Sequence, residues 1–301
     1  MKPQSVPSKT KSSPSQKSVT ISVPGTSANL GPGFDSFGVA LGVSNLVTVT
    51  PSETAPSPPP MVVETAKSFF KGSGINPFPF GWKIRGDVPQ ARGLGSSVTV
   101  RLGILMALNE LSGKPLSRSG MFRLCADLEG HPDNAAPALF GGFTIARELR
   151  DPIRYPVATG LCFVLIVPDF EVSTPDARKV MPRSIGIAEA AANAADAAVI
   201  AAAFATKRYE LLRGSFGDRL HQPHRAKLVP FLDKVVEAGD RAGALGGWLS
   251  GSGSTICSLA PSRAAAKKIA LALKSKAPAR ARIILCEADN KGARRVVGEG
   301  S

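Results

Sequence analysis

Two glycines one residue apart at the mouth of a helix constrain this chain more than any other feature. Pro89 to Ser97 reads PQARGLGSS and runs straight into Val98 to Leu111, a stretch with helical apolar periodicity that ends at the stop signal Ser112-Gly113. Backbone N–H groups at a helix N-terminus point outward unpaired, and the macrodipole favours an anion there. Gly93 and Gly95 remove side chains from the turn, so a ligand can approach that backbone. Ser96 and Ser97 add hydroxyls, one suited to a phosphate oxygen and the other to Mg²⁺. The pattern is neither G-x-x-x-x-G-K-[ST] nor G-x-G-x-x-G. By itself it fits either a phosphate cradle or a helix cap whose glycines serve packing.

The flanking segments alternate strand and helix signals. Ser18 to Val23 and Leu46 to Thr50 alternate β-branched residues and predict strands, with a loop dense in Gly, Asn and Pro between them. Residues 51–60 (PSETAPSPPP) form a Pro-rich connection. Met61 to Phe70 predicts a short helix, Phe80 to Gly86 a strand and Ser119 to Glu129 a helix. Leu161 to Val167 (LCFVLIV) is a continuous apolar run, the mark of a buried strand. Residues 185–213 are Ala-rich and helical, and Trp248 to Leu259 reads as strand, Gly turn, strand. Ala264 to Lys274 predicts an amphipathic helix and Arg282 to Cys286 a last strand. The class is α+β with a seam near 150–160. A tail over 1–17 is expected, then domains over 18–155 and 156–301, with no internal repeat.

Composition narrows the function classes. The 301 residues are 43% apolar and 20% charged, which excludes a wholly disordered, collagen-like or coiled-coil chain. The most Ala-rich apolar stretch, Ala197 to Ala205, follows Asp196 and falls short of the about 20 residues of a membrane span. The net charge of +14 sits mainly at the ends: residues 1–17 carry +4 and residues 262–301 carry +7. That pattern reads as basic solvated ends and a disordered N-terminal extension, with neither a secretory signal nor a nucleic-acid surface. Cys125, Cys162, Cys257 and Cys286 have no C-x-x-C spacing and are expected to be reduced thiols of a cytoplasmic protein.

Two further clusters carry chemistry. Glu129 to Asn134 (EGHPDN) packs two acids, a His and an Asn into one helix end and turn. Mg²⁺ takes hard oxygens and needs only one or two carboxylates beside substrate phosphates, and a second carboxylate can orient or deprotonate a hydroxyl. A capped turn would use the same residue types. Ser250 to Thr255 (SGSGST) suits a tight turn beside a phosphate or a plain Gly/Ser loop.

With Pro24 to Asp35 (PGTSANLGPGFD) these stretches stand in the order of the GHMP small-molecule kinases. Together with STPDARKVMP (173–182) and LHQPHR (220–225), the chain resembles the homoserine kinases of that superfamily from residue 20 to about 290. The resemblance implies a two-domain GHMP kinase fold, with a ribosomal S5 domain 2-like N-terminal domain and a ferredoxin-like C-terminal domain. It implies transfer of the γ-phosphoryl of ATP to the side-chain hydroxyl of L-homoserine, giving O-phospho-L-homoserine for threonine biosynthesis. Pro89, Gln90, Ala91, Arg92, Gly93, Leu94, Gly95, Ser96 and Ser97 would then wrap the ATP phosphates. Gly251, Ser252 and Gly253 would support that loop, and Ser97 and Glu129 would hold Mg²⁺.

Asn29, Asp35, His131, Thr174, Arg178 and Arg225 match substrate positions. The chemistry agrees, since an α-ammonium needs a carboxylate such as Asp35 and an α-carboxylate suits the forks of Arg178 and Arg225. Asp133 would be a base or orienting group and Asn134 a positioning group. His221 and His224 are read as structural. Segment 60–85 is where adenine contacts are expected. A homodimer with no nucleic-acid or membrane partner is the family expectation. Ser254 in place of the usual Pro, Gly25 in place of Ala and Val98 in place of Ala depart from the pattern and leave the polar groups present. A kinase acting on mevalonate or shikimate, or a non-catalytic binding protein on the same fold, are the alternatives.

Overall fold

The computed structural model describes residues 18–296. The expected basic tail over 1–17 lies outside the described residues. The first sheet holds β1 (Val19–Ala28), β2 (Phe37–Pro51), β3 (Phe80–Gly86), β4 (Phe143–Ile145) and β5 (Ile153–Tyr155). The second holds β6 (Cys162–Val167), β7 (Gly246–Leu249), β8 (Ile256–Ala260) and β9 (Arg282–Cys286) in the order β7-β8-β6-β9, antiparallel throughout. Between strands run α1 (Pro60–Ser73), α2 (Ser96–Leu111), α3 (Arg118–Glu129), α4 (Ala135–Phe140), α5 (Thr174–Lys179), α6 (Ile187–Thr206), α7 (Gln222–Arg225), α8 (Leu232–Arg241) and α9 (Arg263–Lys274).

The predicted strands Ser18 to Val23 and Leu46 to Thr50 are the distal halves of longer ones. β1 and β2 continue through the Gly/Asn/Pro stretch by pairing Thr26 with Ala40 and Ala28 with Gly38. Only residues 29–36 remain as a loop. Nor is Arg282 to Cys286 the last strand. After β9 the chain crosses β2, where Gly42 N–H donates to the Glu287 carbonyl, and pairs as β10 (Arg294–Val296) against β1. Cross-strand partners supply what those short segments lack in propensity.

The apolar run of β6 is explained by its two faces. Phe163, Leu165 and Val167 point into a core shared with Leu30, Phe37, Val39 and Trp248, between the two sheets. Cys162, Val164 and Ile166 point into a second core under α8 and α9. Period-two alternation with both faces covered leaves no position for a polar residue. A third core lies between the first sheet and α1 to α4. α2 runs through its middle and is buried nearly all round.

The Ala-rich segment folds as one 20-residue helix, α6, long and apolar enough by length and composition to cross a membrane. This corrects the nine-residue reading: Asn193 and Asp196 do not interrupt the helix. They tie it to the fold instead, through Asn193 Nδ2 to the Pro32 carbonyl and Asp196 to Arg219. Ile200, Ala203 and Phe204 bury into the inter-sheet core, Phe204 stacking on Phe143. All four cysteines are buried and free, and burial pushes the Cys286 thiol up to about 12.

Candidate active site

A cavity of about 560 Å³ opens where the glycine loop, the EGHPDN turn, α5, α7 and the Gly/Ser turn converge. Its floor is the N-terminus of α2. Gly95 caps that helix at φ 65° and Gly93 precedes it at φ 73°, a region costly for residues with a Cβ. A Cβ on Gly95 would also strike the Thr26 hydroxyl, and one on Gly93 the Ser250 carbonyl. The loop is braced from behind by the Gly/Ser turn. Ser250 Oγ donates to the Gly93 carbonyl (2.7 Å), Thr255 N–H to the Arg92 carbonyl (3.2 Å) and Gly251 N–H to the Ala28 carbonyl (3.2 Å).

Beside this floor, Ser97 Oγ donates to Glu129 Oε2 at 2.7 Å, while Arg101 Nε donates to Glu129 Oε1 at 2.7 Å. Glu129 ends α3, whose chain turns away at Gly130 with φ 80°. The turn then places His131 Nδ1 2.6 Å from Asp133 Oδ1, which also accepts from Asn134 Nδ2 at 3.2 Å. Thr26 Oγ1 fixes Asn134 through its Oδ1 (2.7 Å). Burial works against the charged His131 ring. The hydrogen bond to Asp133 and the nearby Asp133, Asp35 and Glu129 carboxylates outweigh it and raise the His131 pKa above its ordinary value.

The opposite wall is ionic. Arg178 grips Asp35 in a fork, Nη2 to Oδ1 at 3.0 Å and Nη1 to Oδ2 at 3.2 Å. Arg225 is buried, donating from Nε to the Ala177 carbonyl and from Nη1 to the Gly251 carbonyl (2.9 Å). Its Nη2 has no hydrogen bond among the described residues. Phe34 lies under both guanidinium groups, 5.2 Å from Arg225 and 5.7 Å from Arg178. Two cations thus share one aromatic ring beside one carboxylate.

Family models for the GHMP kinases N terminal domain and the GHMP kinases C terminal match residues 60–142 and 200–279. The homoserine kinase of a Thermus thermophilus strain is 40% identical over 251 residues, which span 79% of this chain and 85% of that protein. The homoserine kinase of Caldicellulosiruptor saccharolyticus is 36% identical over 294 residues, 91% of this chain and 96% of its own. The crystal structure of homoserine kinase from Cytophaga hutchinsonii superposes with a TM-score of 0.83 at 28% identity, covering 93% of this chain and 97% of that one. The chain belongs to the homoserine kinases of the GHMP kinase family.

The two-domain GHMP kinase fold implied by the resemblance is the one observed. As a homoserine kinase the chain brings nearly all its expected site residues to one cavity. Gln90 to Gly93, Gly95 to Ser97, Glu129, His131, Asp133, Asn134, Asn29, Asp35, Thr174, Arg178, Arg225, Gly251 and Ser252 line it. Pro89, Leu94 and Gly253 do not. Leu94 is buried in the inter-sheet core and offers its carbonyl to Thr26 N–H. Pro89 faces a separate polar hollow, and Gly253 packs against Leu249 and Val229.

Asn29 lines the cavity yet spends its amide on the protein, accepting from Asp35 N–H (3.1 Å) and donating to the Gly251 carbonyl (3.0 Å). His221, read as structural, is fully buried. Its Nδ1 lies 3.4 Å from Arg225 Nη1 and its Nε2 2.9 Å from the Gly31 carbonyl. Because guanidinium only donates and a carbonyl only accepts, Nε2 carries the proton. Arg101 and Thr26 were missed by sequence reasoning: an Arg inside an apolar helix carries no local motif, and Thr26, though inside PGTSANLGPGFD, finds its partner Asn134 only 108 residues on. The apolar end of the cavity, Pro59, Met61, Val62, Trp82, Ile84 and Val100, falls largely in the segment expected to meet adenine.

Proposed function

We propose that this cleft transfers the γ-phosphoryl of ATP to the side-chain hydroxyl of L-homoserine, with the triphosphate over the α2 N-terminus and the amino acid against the ionic wall. The observation that carries the reading is the Asp35–Arg178–Arg225 group beside the glycine loop. An α-amino acid presents one ammonium and one carboxylate. Asp35 suits the first once Arg178 turns from it, and Arg178, together with the open Nη2 of Arg225, suits the second. Mevalonate has no ammonium to take the place of Arg178 on Asp35.

The adenine would lie among Met61, Trp82, Ile84 and Val100, and the phosphates would accept from the N–H groups of Gly95 to Ser97. Among the described residues no group of three or more His, Cys, Asp or Glu could hold a metal. Ser97 and Glu129 nevertheless offer two hard oxygens on one side of the phosphate floor, which fits Mg²⁺ completed by phosphate oxygens and water. When bound, that cation would neutralise charge on the β- and γ-phosphates. Phosphoryl transfer passes through a loose transition state, so placement and charge matter more than a strong base. Asp133, steadied by His131 and Asn134, would align the substrate hydroxyl and receive its proton as the oxygen attacks the γ-phosphorus and ADP departs.

The test is an ADP-release assay with Mg-ATP and L-homoserine, mevalonate, shikimate or L-serine. Turnover with homoserine that exceeds the others by orders of magnitude is the expected result. Equal or greater turnover with mevalonate or shikimate would overturn the substrate assignment.

A further inference from the structure

Arg101 is a buried cation beside the cavity that does not line it, and its hydrogen bonds run to Glu129 at the cavity's edge and to α1. It lies four residues beyond Ser97 on α2, and so on the same helix face. Nε donates to Glu129 Oε1, while Nη1 reaches Glu64 Oε2 (2.9 Å) and Thr65 Oγ1 (3.3 Å) on α1. The Arg101 and Glu129 side chains are each only 10% exposed, whereas Glu64 is 58% exposed. Glu129 is therefore the partner whose charge is least screened.

We propose that Arg101 is a positioning residue that holds one oxygen of Glu129 so that the other is presented, with Ser97, to the nucleotide-bound cation. This rests on Glu129 and Ser97 being the cation ligands. A carboxylate with a free side-chain torsion can turn either oxygen to the cleft. Pinning Oε1 through Nε restricts that torsion and keeps Oε2 beside Ser97 Oγ, where both oxygens can turn to the metal. Lysine would not do the same work. The fork sends Nε to α3 and Nη1 to α1, while an ammonium is a single point charge on a flexible stem. α1 also carries Met61 and Val62 of the apolar end, so the same guanidinium ties the metal carboxylate to the wall of the nucleotide pocket.

The experiment measures Mn²⁺ affinity by electron paramagnetic resonance, on the full chain saturated with a non-hydrolysable ATP analogue. The variants are Arg101→Gln, Arg101→Lys and Glu129→Gln. Arg101→Gln is expected to weaken Mn²⁺ binding about 10- to 100-fold. Arg101→Lys should recover part of that loss, and affinity for the metal-free analogue should change less than about threefold in both. A Glu129→Gln variant that loses Mn²⁺ while both Arg101 variants keep wild-type affinity overturns the proposal alone. Wild-type affinity in Glu129→Gln overturns the ligand reading beneath it. Arg101→Gln strands a buried carboxylate and can fail to fold. In that case Arg101→Lys decides, and wild-type Mn²⁺ affinity in it overturns the proposal.

Discussion

The two ends of the cleft are built from different materials. The glycine-loop end is backbone: glycine turns, a helix N-terminus and carbonyls locked to the Gly/Ser turn, with Gly93 and Gly95 half-buried. The ionic end is side-chain charge from three separated stretches, Asp35, Arg178 and Arg225, with Asp35 and Arg178 over a third exposed. Binding a triphosphate needs N–H groups that any sequence can supply once the turn is made. Choosing one alcohol needs charges placed one by one. The first construction should fail as a whole when disturbed, and the second should fail one contact at a time.

The largest effect tests the rigid end. Gly95→Ala puts a Cβ into the Thr26 hydroxyl at a positive φ. It should cost roughly 1–3 kcal/mol of stability. It should also lower kcat/KM on the order of 100-fold by moving the floor, as steady-state kinetics and urea unfolding would show. Equal activity would mean the loop does not touch phosphate.

Next is Arg178→Ala, which removes a charged partner without touching the loop. Losing a hydrogen bond to a charged group is worth about 1.5–3 kcal/mol. The KM for homoserine should therefore rise roughly 10- to 100-fold with that for ATP nearly unchanged. A parallel rise in both would erase the distinction between the ends.

Acid should sharpen it further. His221 backs both Gly31 and Arg225, and burial depresses its pKa from 6.5 to about 4 despite the nearby Asp218 carboxylate. The unfolded chain takes up this proton first. The associated stability is therefore full above pH 6.5, drains as pH falls from 6.5 to about 4, and is flat below. In urea unfolding at pH 7, 5.5 and 4, His221→Gln should show a shallower decline than the parent. An unchanged slope would assign the acid loss to other groups.

The smallest effect is the control. Arg241 pairs with Glu237 on the outer face of α8, both over 60% exposed. Arg241→Ala should change stability by less than about 1 kcal/mol and leave both KM values alone.

Legibility followed the same division. PQARGLGSS announced a glycine turn opening a helix, because glycine spacing and a following helix are local facts, and left phosphate cradle and helix cap both open. LCFVLIV announced a strand buried on both faces. The extension of β1 and β2 and the return of β10 were not legible, because each depends on a partner strand distant in the chain. Arg101 was hidden for a related reason. One charged residue within an apolar helix has no pattern, and its meaning comes only from Glu129 and Glu64 opposite. Asn29 stood in a recognisable motif, yet its geometry ties loop to loop.

What the sequence determined by itself was the inventory: turns that need glycine, helices with caps, apolar periods and the residue types a phosphate and an amino acid require. Those follow from short-range sterics and hydration and are complete within a dozen residues. Tertiary structure alone decided which charges meet. Asp35 and Arg178 are 143 residues apart and Ser97 and Glu129 are 32. A charge acquires a role only when folding removes the water between it and its partner.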